Sequence, residues 1–358
     1  MISSVQVIGS KTYGGAERWL LRFSRALADL GHPTRGIIRA GSMLESADWG
    51  GVPFTALPLR TVWDPFSRRE MAREIRRIGP DLVQTYMGRA TRNTRPGRSG
   101  PVHLARLGGY YKLDGYRHAD AWVGNTRGIC DYLLQNGFPA ERVFHIYNFL
   151  EPPAAIPDER VRALRSALNV APDAWVLLTV GRLVPFKGHR YLLEALARLP
   201  KQIGGRPLTL VVLGDGPLRD DLRRQARQSG IEGRVLWEGW QTDTGPYYGM
   251  ADLVVFPSLE REPFGNVVLE AWAHGKPLVT TLFRGALEFV HHGEDAWQAA
   301  CADAEALASG IRQVLQDPSL ARSLADAGLA RVRRDFGRDP VMRRYIDLYG
   351  WLIEHRRP

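Results

Sequence analysis

Short apolar runs alternate along the whole chain with longer segments in which apolar residues recur at helical spacing. Most of these runs end close to Gly, Pro or Ser, which is typical of a buried strand that stops at a loop. Strands are predicted at residues 4–8, 81–85, 102–106, 121–124, 143–146, 174–180, 208–213, 235–240, 253–256 and 277–280. Helices are predicted at residues 16–30, 157–168, 189–199, 218–229, 304–315, 320–336 and 341–355. This alternation predicts an α/β protein in which helices cover parallel sheets.

The chain has 358 residues, enough for two domains. The pattern breaks at 147–153, where prolines follow a strand, so we place the first domain at 1–155 and the second at 156–338. No apolar run reaches about 18 residues, and no basic leader precedes an apolar segment, so we expect neither a membrane span nor a signal peptide. The two cysteines lie far apart without metal-ligand spacing, which favours a cytoplasmic protein with ordinary thiols.

One stretch combines a predicted strand, a loop and a helix with two carboxylates. Glu262 and Glu270 are separated by seven residues, and Gly265 and Asn266 lie near the predicted helix start. Free amides at a helix start suit phosphate or sugar oxygens, and an ionised carboxylate accepts hydrogen bonds from hydroxyl groups. These groups could hold a sugar joined to a nucleotide. The alternative is that both glutamates only cap or decorate the helix.

Two further loops follow predicted strands. Arg182 and Lys187 lie in a glycine-bounded loop, where a planar guanidinium and a compact ammonium suit phosphate oxygens. The alternative for both is an exposed surface cation. Gly14 and Gly15 follow the first strand and open a helix, so the backbone there could approach a ligand closely. A plain tight turn explains the glycines equally well.

These loops resemble motifs of the retaining glycosyltransferases of GT-B architecture, family 4. The segment 262–270 is similar to the Glu-x7-Glu motif, 181–188 to Gly-Arg-Leu-x-x-x-Lys-Gly, and 14–17 to the first loop of these enzymes. The resemblance covers nearly the whole chain and is strongest at 176–280. It implies two Rossmann-like doubly wound parallel-sheet domains that face a central cleft. The first domain would be on the acceptor side, the second would bind the nucleotide sugar, and the last helix, 339–358, would cross back to the first domain.

The resemblance also implies a role for each site residue. Glu262 would hold the sugar hydroxyls and offset positive charge at the anomeric carbon, and Glu270 would bind both ribose hydroxyls. Arg182 and Lys187 would stabilise the charge on the leaving diphosphate as catalytic residues. The other expected contacts to the donor are Gly14, Gly15, Gly239, Trp240, Phe264, Gly265 and Asn266, with Gly15 at the phosphate and Gly239 and Trp240 beside the nucleobase. A core position is the alternative for Trp240.

A retaining transfer from a UDP- or GDP-sugar is the reaction implied by the family. The acceptor would attack the face that the leaving group occupies, and a donor phosphate oxygen would take its proton. No acidic pair suggests a bound metal, so we expect no cofactor and no metal requirement. The acceptor would be a glycan or a lipid-linked glycan in cell-envelope polysaccharide or lipopolysaccharide synthesis. Two alternatives stay open, a nucleotide-sugar epimerase and a non-catalytic nucleotide-sugar-binding protein.

The acceptor side departs from the family. Many members carry a histidine after the strand at 102–106, where this chain has Gly108 and Gly109, so that histidine's role cannot be carried over. The segments 87–100 and 107–114 are predicted to be loops at the carboxyl ends of strands, where open α/β sheets bind ligands. His103 lies within a predicted strand and is expected to be a core residue.

The net charge of +10 is unevenly distributed. Residues 1–155 hold 21 Lys and Arg against 13 Asp and Glu, a net +8, whereas the rest of the chain has a net +2. The excess includes Arg68, Arg69, Arg73, Arg76 and Arg77 on a predicted helix, and Arg89, Arg92, Arg95 and Arg98 in the following loop. Such charge favours an anionic partner, which could be a lipid surface, a phosphorylated glycan or nucleic acid. We expect the first domain to attach to the anionic inner face of the cytoplasmic membrane. An ordinary solvated face is the alternative, with Phe66, Met71, Ile75 and Ile78 facing the core. No nucleic-acid-binding motif is found, so we expect no nucleic-acid partner.

Overall fold

A computed structural model describes residues 1–61, 63–97, 99–151 and 153–356. The chain forms two compact units. The N-terminal unit comprises residues 1–148 and 338–358, and the C-terminal unit comprises residues 149–337. The division therefore falls before Phe149 rather than after residue 155. Phe149 is fully buried, and the amide of Leu150 donates to the carbonyl of Phe336 at 2.9 Å, which ties this segment to the C-terminal unit. Pro152, in the predicted junction, lies outside the described residues.

The N-terminal unit is built on seven parallel strands in the order β3-β2-β1-β4-β5-β6-β7. Its elements are β1 (Ser4–Ile8), α1 (Gly15–Asp29), β2 (Thr34–Arg39), β3 (Phe54–Leu57), α2 (Pro65–Ile78), β4 (Leu82–Tyr86), α3 (Met87–Asn93), β5 (Val102–Leu107), β6 (Ala121–Gly124), α4 (Arg127–Gln135) and β7 (Val143–His145). The chain moves outward from β1 to β3 and then returns to the other side of β1 with β4. The loops after β1 and β4 therefore flank a topological switch point, where open sheets bind ligands.

The C-terminal unit contains a second sheet, in which six parallel strands have the order β11-β10-β8-β12-β13-β14 and β9 pairs antiparallel with β10. Its elements are α5 (Asp158–Ala167), β8 (Trp175–Val180), α6 (His189–Arg198), β9 (Gln202–Ile203), β10 (Arg206–Leu213), α7 (Arg219–Gln228), β11 (Val235–Gly239), α8 (Gly245–Met250), β12 (Leu253–Phe256), α9 (Asn266–Ala273), β13 (Leu278–Thr281), α10 (Ala286–Phe289), β14 (Trp297–Ala299), α11 (Ala304–Gln316) and α12 (Pro318–Asp335). Here the switch point lies between β8 and β12.

The last helix, α13 (Arg338–Glu354), belongs to the N-terminal unit, as predicted. Tyr345 packs edge-on against Phe23 of α1, with ring centroids 4.6 Å apart. The hydroxyl of Tyr349 donates to the buried side chain of Gln84 on β4 at 3.1 Å. Buried polar groups must be satisfied, so this bond helps to fix the helix on the sheet. Arg357 and Pro358 lie outside the described residues.

Several elements differ from the sequence-based expectation. Residues 87–93, predicted as part of a loop, form helix α3 directly after β4. Strand β2 was missed because Gly36 and its arginines dilute the apolar pattern. The glycine at position 36 is nevertheless needed in the strand, because the ring of Trp49 occupies the space that a side chain would fill. Helix α4 was also missed, although Thr126 accepts the amide of Ile129 as its N-cap. Among the described helices, none is long and apolar enough to cross a membrane.

Candidate active site

The loops after β8 and β12 meet at the switch point of the C-terminal unit. The ammonium of Lys187 lies 2.6 Å from Oε2 of Glu262, although the two residues are 75 positions apart in the chain. The amide of Leu259 donates to the carbonyl of Phe186 at 2.8 Å and joins the same two loops through their backbones. The structure therefore brings together Lys187, which was predicted to bind the diphosphate, and Glu262, which was predicted to bind the sugar.

The close approach of these loops depends on Gly188. Its φ of 68° is in the left-handed region, and a Cβ atom there would collide with the carbonyl oxygen of Pro257. Only glycine meets both conditions without strain. Gly188 ends the short 3-10 helix Pro185–Lys187 and starts α6, so it sets the direction from which Lys187 reaches Glu262.

Glu262 is buried, and both of its carboxylate oxygens have partners. Oε1 accepts the amide of Gly265 at 3.1 Å, while Oε2 accepts the hydroxyl of Ser258 at 3.4 Å as well as Lys187. Gly265 is the N-cap residue of α9, with a φ of 81°. Glu262 therefore does cap this helix, as the simpler interpretation proposed, and it also forms the ion pair. Ser258, which was not among the predicted site residues, lies two positions after the end of β12.

Glu270 lies in the middle of α9 and is half-buried. Its Oε2 accepts the hydroxyl of the buried Tyr248 at 2.9 Å. The ring of Tyr248 is stacked on the ring of His274, with centroids 4.4 Å apart and planes 5° apart. Burial lowers the pKa of His274 to about 4, so this imidazole is neutral at pH 7. Tyr248 therefore binds one carboxylate oxygen of Glu270. This role was not predicted from the sequence, because Glu270 lies one strand and one loop further along the chain.

The remaining predicted contacts of this unit lie at the end of a strand, in the loops that follow strands or at a helix start. Arg182 is exposed, and its guanidinium makes no hydrogen bond or ion pair with any described residue. Trp240 is 43% exposed, which excludes the core alternative, and Gly239 precedes it with its carbonyl bonded to the amide of Gly214 at 2.7 Å. Phe264 is buried against Phe289, so it supports the loop. The half-buried Asn266 is the first residue of α9.

His189, the first residue of α6, is a buried residue that the sequence analysis passed over. Neither ring nitrogen has a hydrogen-bond partner among the described residues. Burial and the neighbouring charge of Lys187 lower the pKa of His189 to about 3, so the ring is neutral. The described residues contain no cluster of three or more His, Cys, Asp or Glu side chains that could hold a metal ion.

In the N-terminal unit, Gly14 and Gly15 form the start of α1 after β1. Gly14 is the N-cap residue, and its amide donates to the carboxylate of Glu17 at 2.8 Å.

His103 is a core residue, as expected: its Nε2 lies 3.0 Å from the hydroxyl of Thr85, and burial lowers its pKa to about 3. Arg89, predicted to lie in a loop after a strand, is instead part of α3, and its guanidinium donates to the carbonyls of Leu59 and Arg60.

Comparison with known proteins identifies the family. Residues 161–331 match the family described as glycosyl transferases group 1, and residues 13–152 match glycosyltransferase family 4. The chain is 34% identical to the lipopolysaccharide core biosynthesis glycosyltransferase LpsE of Rhizobium meliloti, over 94% of this chain and 95% of that protein. The chain belongs to the group 1 glycosyltransferases. This glycosyltransferase is also 30% identical to LpsD of the same organism, a second lipopolysaccharide core biosynthesis glycosyltransferase, over the same shares of the two chains.

The fold of this group 1 glycosyltransferase is GT-B, as the sequence predicted. The crystal structure of HepE from Anabaena in complex with UDP-glucose superposes with a TM-score of 0.86 at 22% identity, covering 98% of this chain and all of that one. At this level of identity the likeness establishes the fold alone.

Proposed function

We propose that this glycosyltransferase moves a sugar from a nucleotide-diphosphate sugar to a glycan acceptor in lipopolysaccharide core synthesis. The contact between Lys187 and Glu262 is the observation that carries the proposal, because it joins a phosphate-binding cation to a hydroxyl-binding carboxylate at a sheet switch point. The names of LpsE and LpsD support the acceptor class. The UDP-glucose bound to HepE supports the donor class.

Each residue has a distinct role in this proposal. The ammonium of Lys187 has three N–H donors, so it can bind a diphosphate oxygen while it stays bonded to Glu262. Arg182 has no described protein partner, so the paired N–H donors of its planar guanidinium are available to bind the diphosphate. Glu262 holds the transferred sugar, and Glu270 binds the ribose through the oxygen that Tyr248 leaves available.

The transfer is proposed to retain the anomeric configuration and to need no metal. In such a reaction the bond between the anomeric carbon and the diphosphate breaks while the acceptor oxygen bonds on the same face. The acceptor proton passes to a donor phosphate oxygen. Arg182 and Lys187 stabilise the negative charge that grows on the diphosphate, which is the task of a metal ion in other phosphoryl leaving-group sites.

Thermal unfolding in the presence of UDP-, GDP-, ADP- and CMP-sugars tests the donor. A donor at 100 times its dissociation constant stabilises the folded state by about 2.7 kcal/mol. The stabilising donor is then incubated with truncated lipopolysaccharide core in EDTA, and proton NMR of the product reports the anomeric configuration. An inverted product contradicts retention, and activity lost in EDTA contradicts metal independence. Epimerised donor in the absence of acceptor favours the epimerase. Donor binding without any turnover favours the non-catalytic protein.

We also propose that the N-terminal unit attaches to an anionic membrane surface on the cytoplasmic side. Trp63, two residues before α2, and Phe66, in the first turn of α2, are 70% and 67% exposed. Aromatic side chains favour the membrane–water interface. The exposed arginines Arg69, Arg73 and Arg76 follow on the same helix. Each basic residue near an anionic surface contributes about 1 kcal/mol.

The structure corrects the set of residues that could take part. If the arginines only formed an ordinary solvated face, the apolar residues of this helix would face the core. Met71 and Ile75 do face the core, but Phe66 is exposed. Arg77 is paired with Glu74 at 2.6 Å, and Arg89 is bonded to backbone carbonyls, so neither charge is freely available. Arg98 lies outside the described residues.

A further inference from the structure

Arg106 is a buried arginine near the carboxyl end of β5 in the N-terminal unit. The residue is 4% exposed. Its Nη2 donates to Oδ1 of Asn148 and its Nε donates to the hydroxyl of Tyr345 at 3.3 Å. The guanidinium carbon lies 4.5 Å from the ring centroid of Trp19 and 5.8 Å from that of Tyr86. Four side chains from four parts of the chain thus fix this group in one position.

No described carboxylate lies within ion-pair distance of the Arg106 guanidinium. The buried carboxylate of Glu17 is engaged by the amide of Gly14. An arginine cannot shed its proton in a protein, and burying an unpaired charge is costly. The aromatic faces of Trp19 and Tyr86 offset part of that cost, since a desolvated cation–π contact is attractive. The guanidinium of Arg106 is therefore held by neutral side chains and not by an ion pair with a described acid.

The C-terminal unit provides an internal comparison. Arg331 is also held over two aromatic rings, those of Trp272 and Phe336, at 5.4 and 5.7 Å. That arginine forms ion pairs with the buried carboxylate of Asp295 and with Asp335. Arg331 therefore has acidic partners in addition to its aromatic contacts. Arg106 has no such partner among the described residues.

The donors that stay available converge on Gly108. A Cβ atom built on Gly108 would lie 3.4 Å from Nη1 of Arg106 and 3.9 Å from Nδ2 of Asn125. Chain neighbours apart, no other described atom lies within 4 Å of that position. Asn125 and Arg106 both donate to Oδ1 of Asn148, which orients the two donors together. Gly108 therefore leaves space for a small group in front of two N–H donors.

We propose that Arg106 and Asn125 form an anion site that receives a carboxylate or phosphate group of the acceptor. The inference rests on the proposed transferase function, because the loop after β5 lies at the carboxyl end of the sheet, where an acceptor would bind. A planar guanidinium is suited to either anion through paired N–H donors. The acceptor of this enzyme is then an acidic glycan.

Ligand-observed NMR titration of the full chain tests this inference with glucuronate, glucose 6-phosphate and glucose as probes. The two acidic probes should bind and neutral glucose should bind at least about tenfold more weakly, because hydrogen bonds to charged groups contribute that much. The tighter of the two acidic probes identifies the anion as carboxylate or phosphate. Equal binding of glucose and the acidic probes would overturn the proposal.

Two variants assign the binding to this position. Arg106→Gln removes the charge, and Gly108→Val keeps the arginine but fills the space in front of it. Gly108 does not have a left-handed backbone, so a valine there does not strain the backbone conformation. Both variants should lose acidic-probe binding, whereas Gly350→Val, at a glycine with open space around it on α13, should keep it. If Arg106→Gln fails to fold, the Gly108→Val variant tests the proposal by itself. Unchanged binding of the acidic probes to Gly108→Val would contradict the proposed anion site. Stabilisation by the nucleotide sugar is measured in parallel, so that failure of the donor site is seen separately.

Discussion

Nζ of Lys187 and Oε2 of Glu262 are 2.6 Å apart and form an ion pair that links the loops after β8 and β12. Removing one partner of a buried pair leaves the other charge uncompensated, so Lys187→Met should lower the free energy of unfolding by about 3 kcal/mol. Adding Glu262→Gln should restore part of this loss, because the amide oxygen still caps α9. Chemical denaturation of the two single variants and the double variant measures the coupling. Arg219→Met is the control, since its pair with Asp215 is exposed and weak. Additive losses would show that the pair contributes nothing.

Arg182→Ala and Lys187→Ala should lower turnover more than donor affinity. Charge on the diphosphate is larger in the transition state than in the bound donor, so groups that stabilise it act mainly on kcat. Loss of one such group costs about 10²–10³-fold in other enzymes. Steady-state kinetics together with calorimetric donor binding separates the two effects. Arg190→Ala, at an exposed arginine of α6, is the control. A change confined to donor affinity in both variants would argue against the assigned roles.

Glu270→Ala should weaken binding of the sugar-free nucleoside diphosphate about tenfold or more, because the ribose contacts do not depend on the sugar. Tyr248→Phe should have a smaller effect in the same direction, since it frees the carboxylate that the tyrosine hydroxyl holds at 2.9 Å. Titration calorimetry measures both. Tyr191→Phe, which removes a hydroxyl from α6, should leave the affinity unchanged. Wild-type affinity in Glu270→Ala would mean that the ribose lies elsewhere.

Stability should fall as the pH is lowered below 6.5. Burial lowers the pKa of His103 and of His189 to about 3, while the unfolded value is 6.5. The unfolded state therefore binds more protons between these values, and stability is lost as the pH falls. At pH 5.5 each histidine should cost about 1.4 kcal/mol relative to pH 7.5. Denaturation at several pH values measures the slope, and His103→Gln should reduce it by one histidine's share. An unaltered slope in that variant would contradict the assignment.

Binding to liposomes should require anionic lipid and decrease at high salt, because exposed charges are screened. The triple variant Arg69→Gln, Arg73→Gln, Arg76→Gln should sediment less with anionic vesicles than the wild type. Trp63→Ala with Phe66→Ala should weaken binding without changing its salt dependence. The matched control removes three exposed arginines from the C-terminal unit, Arg312, Arg322 and Arg333. Equal recovery with neutral and anionic vesicles, or an equal loss in the control, would exclude this surface.

The sequence by itself determined the fold class and the positions of the donor motifs. Apolar periodicity reports burial of a strand or helix, and this signal is local, so β1, β8 and β12 could be predicted from short windows. Glycine and proline mark where strands end, which located the loops that carry Arg182, Lys187 and Glu262. The spacing from Glu262 to Glu270 was likewise sufficient to put the second carboxylate on the helix after the loop.

Only the tertiary structure decided which of these side chains meet. Lys187 and Glu262 are 75 residues apart, and they touch because β8 and β12 are neighbours across the switch point, a fact of strand order that no local pattern contains. The pairing of Tyr248 with Glu270 likewise depends on the tertiary structure, because it joins the helices α8 and α9 that precede and follow β12. Arg106 is the clearest case, since its partner Tyr345 is 239 residues away and its significance lies in a missing carboxylate. A missing carboxylate around a buried charge becomes visible only when the charge and its whole surroundings are assembled in space.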